Sequence, residues 1–293
     1  MDCVSKEERL SFFKLVCFLP IVFIAGCNLP FSDTSSDEVS FMVIDVGQGL
    51  SQMVVQNSRA VLFDMGPIDA EAKWKIAYSS LGKPQIEAIL ISHRDLDHSG
   101  GLEFLDSSIT WSGRLVASRW EDTTFLRRQC SNWHDPILFE TIVQDTVIKL
   151  LDDCSARCLW PPQVIDDTFP VPDTKTNYYS IVCLITHGNN RIMVTGDIDS
   201  VAERIISQRY TTQLRSDIVI IPHHGSAGMV YPLFYGYIRP ALALISYGIG
   251  NSYGHPSGEA LNLLAQLGIP CLTTGDNGSI QLKSNGFYWE TVQ

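Results

Sequence analysis

The chain has 293 residues, of which 45% are hydrophobic and 18% charged, and its formal net charge at pH 7 is −11. A chain of this length and composition can bury a large core, as one domain or as two smaller ones. The negative charge argues against a protein that holds long nucleic acid in a basic groove, but it does not exclude a nuclease whose metal ions recognise phosphate.

The N-terminal residues are typical of a targeting segment. The apolar run LVCFLPIVFIAG follows basic residues and is shorter than a membrane-spanning helix. Small residues precede Cys27 in a pattern that resembles the bacterial lipobox, in which the cysteine is lipidated. Residues 1–26 are therefore predicted to be a signal peptide and 27–38 a lipidated tether, with a simple anchor helix as the alternative. We expect a lipid-anchored protein of the bacterial cell envelope that faces the periplasm or the exterior.

Most of the predicted domain, residues 39–293, has sequence patterns typical of strands and helices. Three successive strands are predicted from VSFMVIDV, SQMVVQ and RAVLFDMG, and a helix from AEAKWKIAYSSLG. Residues 106–176, approximately, have no clear period and are interpreted as an irregular insertion. Beyond the insertion, strands and helices alternate from YSIVCLITHGNNRIMVTGD to GSIQLKS. The pattern predicts an α/β protein in which helices cover two sheets.

The stretch SHRDLDHSGG places two histidines and two aspartates within six positions, His93–His98, directly after an apolar run. Such crowded ionisable groups repel one another or must be desolvated unless a cation lies among them. Other polar side chains also end apolar runs: Asp64, Asp197, His223, His224 and His255. Ligands gather at strand ends in α/β proteins, so these side chains are expected to meet. Asp and His suit Zn²⁺ or Mn²⁺, and two such divalent metal ions are predicted as cofactors.

The same stretch resembles the metallo-β-lactamase signature H-x-H-x-D-H, with aspartate at the second ligand position. This variant is similar to the hydrolase-like domain of the ComEC family of competence DNA-uptake proteins. Further segments resemble that family's motifs in order: FMVIDVGQG, LFDMG, NYYSIVCLITHGNNRIMVTGD, IIPHHGS, ALISYGIGNSYGHP and PCLTTGDNGSIQL. The resemblance implies the metallo-β-lactamase fold, a four-layer αββα sandwich, over nearly the whole mature chain.

The resemblance also implies roles for the metal ligands. His93 and Asp95 are expected to hold a first metal ion. Asp97 and His98 are expected to hold a second one, and Asp197 is expected to bridge the two.

Three side chains are predicted to be catalytic: Asp97, His224 and His255. Of the adjacent histidines, His223 is slightly preferred as the direct metal ligand, while His224 binds phosphate or donates to the leaving group. His255 faces the substrate or a metal, or is simply hydrogen-bonded in a turn.

Supporting roles are predicted for Asp64, Asn177 and Ser180, with Asp64 orienting a ligand histidine. Most members of the fold add another histidine ligand to the first metal, and its place here is open. His134 lies in the irregular region, and His187 is expected to be solvated at a hairpin tip. Asn177, Ser180 or water are the alternatives.

Five cysteines remain in the predicted domain: Cys130, Cys154, Cys158, Cys183 and Cys271. Cys183 and Cys271 lie in apolar runs and are expected to be buried. A disulfide among Cys154, Cys158 and Cys130 is expected in an oxidising compartment, with free thiols as the alternative.

These features predict a metal-dependent hydrolase, namely a phosphodiesterase or nuclease that uses metal-activated water on DNA or another phosphoester outside the cytoplasm. One alternative is a phosphocholine-type esterase or another small-substrate hydrolase. Another is a non-catalytic, membrane-tethered binding module with a structural metal. The expected partners are a nucleic acid or small phosphoester and, through the lipid anchor, a membrane.

Overall fold

A computed structural model describes residues 38–164, 177–228 and 230–292. The predicted signal peptide and lipidated cysteine, within residues 1–37, lie outside the described residues. Among the residues that the structure describes, no helix combines the length and apolar character that a bilayer crossing requires.

The described residues form two mixed β-sheets that are flanked by helices. In chain order the strands are β1 (Val39–Val43), β2 (Ser51–Gln56), β3 (Arg59–Met65), β4 (Gln85–Ile91), β5 (Arg114–Ser118), β6 (Leu138–Ile142), β7 (Val147–Lys149), β8 (Cys154–Trp160), β9 (Val182–His187), β10 (Asn190–Val194), β11 (Ile218–Ile220), β12 (Leu242–Ile245), β13 (Cys271–Thr273), β14 (Ile280–Ser284) and β15 (Trp289–Val292). The helices are α1 (Glu71–Ser80), α2 (Leu96–Ser99), α3 (Thr123–Gln129), α4 (Ser200–Tyr210), α5 (Pro232–Ile238), α6 (Gly258–Gln266) and α7 (Thr274–Asn277).

Each sheet has an antiparallel part and a parallel part. The first sheet has the order β15-β14-β1-β2-β3-β4-β5-β6 and is parallel from β3 to β6. The second has the order β13-β12-β11-β10-β9-β8-β7 and is parallel from β10 to β13. Because the carboxyl ends of parallel strands meet at one edge of a sheet, each sheet offers an edge where loops can gather ligands.

Three apolar clusters define the layers. Side chains such as Phe41 and Ile185 fill the space between the two sheets. Trp74 of α1 packs on the outer face of the first sheet, and Phe234 of α5 on the outer face of the second. Both faces of each sheet are thus covered, which explains why β1 and β11 are apolar at almost every position instead of alternating. The predicted four-layer αββα sandwich is confirmed.

The segment interpreted as an irregular insertion contains regular structure. Strands β5 to β8 and α3 lie within its described part, residues 106–164. Their patterns are hard to detect in the sequence because β7 has only three residues and β6 is mostly solvent-accessible at the edge of the first sheet. Residues 165–176 of the insertion lie outside the described residues.

The expected disulfide among Cys130, Cys154 and Cys158 is absent, and the five cysteines that the structure describes are free thiols. Cys154 and Cys158 lie on the same face of β8 but four residues apart, or about 13 Å at the rise of a strand. That separation exceeds the Cα distance of about 7 Å that a disulfide can span. Cys130 packs in a different layer, outside the first sheet.

Glu203 of α4 is a fully buried acid whose titration should be visible in the stability of the fold. Its carboxylate accepts hydrogen bonds from the Tyr235 hydroxyl, at 3.0 Å, and from the Tyr231 backbone N–H. Burial raises the pKa of Glu203 well above its ordinary value, and these two bonds offset only part of that effect. A carboxyl whose pKa is higher in the folded than in the unfolded state loses folded-state stability as the pH rises from its unfolded to its folded value.

Glu203→Gln should therefore raise the melting temperature at pH 8, by an amount that shrinks toward pH 5. The amide carbonyl can accept from Tyr231 and the amide N–H can donate to Tyr235, as the protonated acid does. Thermal unfolding followed by circular dichroism between pH 5 and 8 checks this. Glu290→Gln, on the exposed surface of β15, is the matched control and should change little. A uniform loss of stability at every pH would contradict the expectation.

Candidate metal centre

The clustered polar side chains lie at the carboxyl ends of the parallel strands of both sheets. In the first sheet, Asp64 is near the end of β3 and the segment His93–His98 follows β4. In the second, Asp197 follows β10, and His223 and His224 follow β11. The fold therefore brings together side chains that are far apart in the sequence.

Four of these side chains form one compact set of donor atoms: Asp97, His98, Asp197 and His224. One donor atom from each lies within 4.8 Å of all the others. Nε2 of His224 is 3.3 Å from Oδ2 of Asp97 and 3.7 Å from Oδ2 of Asp197. Two imidazoles and two carboxylates at such distances match the ligand chemistry of a divalent metal ion.

Buried polar atoms in this set support the same conclusion. Among the described residues, Nε2 of His98 and Oδ1 of Asp197 lack a hydrogen-bond partner, although they lie only 3.1 Å apart. Nε2 of His93 is likewise buried without a partner. Buried polar atoms are rarely left unsatisfied, and a cation among these three atoms would satisfy them. The residues present therefore fit a divalent metal ion.

Hydrogen bonds to Nδ1 of His98 and of His224 leave Nε2 of each ring available to a metal ion. Nδ1 of His98 lies 2.8 Å from Oδ2 of Asp64, a carboxylate that only accepts. Nδ1 of His224 lies 2.9 Å from the Ser246 carbonyl, which also only accepts. Both Nδ1 atoms therefore carry a proton, so in the neutral form of each ring Nε2 keeps the lone pair that a metal ion would bind.

His93 is oriented through Ser92. The Ser92 hydroxyl donates to Oδ2 of Asp64 at 2.7 Å, so its oxygen accepts from Nδ1 of His93 at 3.0 Å. Asp64 thus fixes His98 directly and His93 through one hydroxyl, the role expected of it as an orienting residue. The 1% exposure of Asp64 isolates this network from water.

The charges in the centre depend strongly on one another. Burial opposes ionisation of Asp97, but the hydrogen bond from His224 and the charge of His98 lower its pKa to about 2. Burial likewise opposes ionisation of Asp197, yet His98 and His224 hold its pKa well below the ordinary value. Both carboxylates are therefore ionised at neutral pH and can serve as ligands.

His93 and Asp95, predicted to hold a first metal ion, lie beside the compact set. Nε2 of His93 is 3.6 Å from Oδ2 of Asp95, and the ring centroids of His93 and His98 are 4.2 Å apart. The two predicted metal positions are therefore adjacent. The number of metal ions that this arrangement holds stays a prediction.

Glu121, which the sequence analysis missed, lies next to this first position. Its Oε2 atom is buried without a partner among the described residues. Burial raises the pKa of Glu121 to about 6, although the nearby charges of His93 and Arg94 lower it. Its only sequence signal is an acid shortly after β5, which many surface turns share.

The two adjacent histidines lie in the turn Pro222–Gly225, which places them in different surroundings. His223 and His224 both have left-handed backbone conformations, with φ of 51° and 55°, which non-glycine residues rarely adopt. His224 is buried and belongs to the compact set, whereas Nε2 of His223 is 3.9 Å from Asp197 and its Nδ1 has no partner among the described residues. The geometry favours His224 as the metal ligand, the reverse of the preference drawn from the sequence.

His255 faces the same space from the loop after β12. Its Nδ1 lies 3.4 Å from Nε2 of Gln48, which donates, so its own Nε2 carries the proton. Its ring packs near His224, at a centroid distance of 6.1 Å, and stacks on Tyr253 at 5.7 Å. His255 is therefore placed to donate a hydrogen bond to a ligand.

The remaining predicted positions divide into two groups. Asn177 lines the cavity at the centre, and the Ser180 hydroxyl accepts from the Asp197 backbone N–H at 3.2 Å. His134 is exposed elsewhere on the surface. The expectation that His187 is solvated is wrong, because it is buried and lies 2.7 Å from the Ser284 hydroxyl, remote from the centre.

Close packing against neighbouring serine side chains makes one glycine necessary. Gly196 precedes Asp197 with φ of +52°, and a Cβ there would lie 2.9 Å from Cβ of Ser92. A side chain at this position would push apart the two loops that carry Asp197 and His93.

An open cavity of about 1090 Å³ borders the centre. Asp97, Asp197 and His224 lie on its wall together with His255, so the donor atoms are accessible to a ligand. Arg94, Lys73, Phe125 and Tyr253 also line it. In the part of the chain that the structure describes, Arg94 makes no ion pair. Lys73 does make one, because its Nζ lies 2.9 Å from Oδ2 of Asp45.

The fold and the centre agree with a comparison against known families. The chain belongs to the metallo-β-lactamase superfamily, whose family model matches residues 44–231. Its site of Asp and His donors identifies it as a candidate metallohydrolase of that superfamily.

Similar proteins include a competence protein and a ComE operon protein. Competence protein ComA of Neisseria gonorrhoeae is 26% identical over 87% of this chain and 35% of its own length. ComE operon protein 3 of Bacillus subtilis is 26% identical over 85% of this chain and 33% of its own length. The chain thus spans about a third of the length of these relatives.

Solved structures share the fold. The metallo-β-lactamase fold protein YhfI of Bacillus subtilis aligns with a TM-score of 0.54 at 12% identity, over 84% of this chain and all of its own. Zn²⁺-bound PqqB of Methylobacterium extorquens aligns with a TM-score of 0.51 at 12% identity, over 80% of this chain and 98% of its own.

Proposed function

We propose that this protein is a metal-dependent phosphodiesterase that cleaves DNA or another phosphoester outside the cytoplasm. The observation that carries the proposal is the open cavity, because it joins the donor set to a cationic side chain and to aromatic rings. A phosphodiester needs cationic groups at the phosphate, while a base or sugar packs on an aromatic surface. Arg94 supplies a cation without an internal ion pair among the described residues, and Tyr253 is 71% exposed.

Different residues of the centre are proposed to bind the metal ions and the phosphate. Asp97, His98, Asp197 and His224 would hold one divalent ion, and His93 and Asp95, with Glu121 nearby, a second; Zn²⁺ and Mn²⁺ are the candidates. When bound, such ions lower the pKa of water and neutralise charge that develops on a phosphate. Arg94 binds a phosphate oxygen at the cavity wall.

Two histidines act on the substrate side. His255, with its proton on Nε2, donates a hydrogen bond to the phosphate or to the leaving oxygen. His223 faces the cavity next to His255, at a ring distance of 5.7 Å, and assists it.

The relatives support this substrate class. One of them is named a competence protein, and another is Recombination protein 2 of Haemophilus influenzae, 23% identical over 94% of this chain. Competence and recombination are the printed roles of these two relatives, and we propose that this chain likewise acts on DNA. The lipid anchor at Cys27 would keep the domain at the envelope, where its substrate is extracytoplasmic nucleic acid.

The test uses the purified full-length chain in detergent, stripped of metal with a chelator. Cleavage of labelled single-stranded DNA is measured after addition of Mn²⁺ or Zn²⁺, with the metal content per chain determined in parallel. Asp97→Asn should lose metal-dependent cleavage by a factor of about 100 or more, because it removes a charged ligand beside the substrate. Asp69→Asn removes the same charge from an exposed position of the same cavity and should retain cleavage.

Other outcomes separate the alternatives. Bound metal without DNA cleavage, but with hydrolysis of a small phosphodiester or of phosphocholine esters, would replace the nuclease with a small-substrate hydrolase, which the net charge of −11 also suits. Metal that remains bound with no hydrolysis of any phosphoester would indicate a binding module.

A further inference from the structure

Cys158 on β8 and Cys183 on β9 are direct cross-strand neighbours in the second sheet. Both side chains are fully buried and face the core between the two sheets. The backbone N–H and C=O of Cys158 bond to Thr146 and Asp145, at the edge of β8 that faces away from β9. The two cysteines are therefore a non-hydrogen-bonded pair, the antiparallel arrangement that brings side chains closest.

The spacing of such a pair suits a disulfide. Its Cα atoms are about 4.5 Å apart, and disulfides span Cα distances of about 4.4–6.8 Å. Both side chains belong to the apolar cluster between the sheets, where the Cys158 thiol donates to the Trp160 carbonyl at 3.0 Å. Cys154 and Cys271 have no such neighbour, since their register partners are His187 and Ala243.

We propose that Cys158 and Cys183 form a disulfide when the chain folds in an oxidising environment. Two Sγ–H bonds break and one Sγ–Sγ bond forms. Two electrons and two protons pass to the disulfide of an oxidant, such as oxidised glutathione, which is reduced to two thiols. The bond joins two adjacent strands of the sheet that carries Asp197 and His224, and it is independent of the proposed hydrolase activity.

The bond must form before the sheets close over the thiols. Both side chains are at 0% exposure in the folded chain. The contact with Cys158, together with burial, raises the pKa of Cys183 well above its usual range. Because a thiolate is the attacking species in disulfide exchange, the folded, reduced chain offers an oxidant neither access nor a nucleophile. A chain that folds in a reducing compartment keeps both thiols.

Digestion with trypsin separates the two cysteines, so a disulfide between them can be detected as a linked pair of peptides. Cleavage after Arg157, Lys175 and Arg191 leaves the two cysteines on separate peptides, 158–175 and 176–191. The full-length chain is unfolded, refolded in a mixture of oxidised and reduced glutathione, alkylated without reduction, digested and analysed by mass spectrometry. The two peptides are expected as one linked species in most of the refolded chains, and as separate peptides after reduction with dithiothreitol.

Controls keep the proposal falsifiable. Cys154→Ser should retain the linked species, because it removes a buried thiol of the same strand that has no thiol neighbour. The natively folded, reduced chain should give unlinked peptides after the same exposure to oxidised glutathione, and a linked species there would refute the requirement for folding. Chains that regain a native circular dichroism spectrum with both peptides singly alkylated would overturn the proposal. So would a disulfide from Cys158 to Cys130 or Cys154.

Discussion

Replacing Asp64 with asparagine should weaken metal binding by about 10- to 100-fold, the range observed when a group that orients a ligand histidine is lost. The introduced amide would donate to Nδ1 of His98, which must then accept and move its proton to Nε2. The Ser92 hydroxyl would lose its carboxylate acceptor and turn toward Nδ1 of His93. Both histidines would then present N–H groups to the centre instead of lone pairs.

The backbone does not confound this experiment. Asp64 has a φ of 60°, a left-handed conformation that asparagine adopts readily, so Asp64→Asn changes the hydrogen-bond polarity and the charge without new strain. Metal affinity is measured by titration of the stripped chain, and the histidine tautomers by ¹⁵N nuclear magnetic resonance. Asp69→Asn is the control of equal charge. Unchanged tautomers with unchanged affinity would refute the orienting role of Asp64.

Stabilisation by metal should grow as the pH rises. Burial opposes the charged form of His98, but the charges of Asp197 and Asp64 outweigh burial and hold its pKa well above its ordinary value of 6.5. In the metal-free chain this raised pKa stabilises the fold fully below about pH 6.5, and the contribution is lost as the pH rises through the folded value. A metal ion must displace the same proton. Below the folded pKa, its affinity therefore increases by about tenfold per pH unit for each proton displaced.

The measurement is the difference in melting temperature between the Mn²⁺-loaded and the chelator-treated chain at pH 6, 7 and 8. The difference should widen with pH, because the metal-free form loses stability while the metal-bound form gains affinity. His98→Gln should abolish the widening, and His134→Gln, at an exposed histidine outside the centre, should preserve it. A difference that stays constant with pH in the unmodified chain would mean that no proton is exchanged for the metal.

The sequence could predict the fold and the individual ligand clusters because both arise from local patterns. Strands covered on both faces are apolar at nearly every position, and ionisable residues directly after them have few structural roles. His93–His98 and Asp197 were found in this way. Strand-end reasoning also predicted that these clusters meet, but it could not give the contacts among them, since β4 and β10 belong to different sheets.

Choices between neighbouring residues needed three-dimensional information. His223 and His224 are chemically identical in the sequence, and only the left-handed turn and the Ser246 carbonyl distinguish them. Glu121 is an ordinary turn residue until burial beside His93 is known. His187 was expected to be solvated at a hairpin tip, but it is the last residue of β9 and is buried against Ser284 at the end of β14. The surroundings of each of these residues depend on tertiary packing, which the local sequence does not reveal.

The distribution of donor atoms between the two sheets has a consequence for the timing of activity. Asp97 and His98 come from the first half of the polypeptide, and Asp197 and His224 from the second. A chain still emerging during synthesis holds only half of the set until residue 224 has appeared and the two sheets have joined. The metal centre is therefore incomplete, and the chain is expected to be inactive, until both halves of the polypeptide are present.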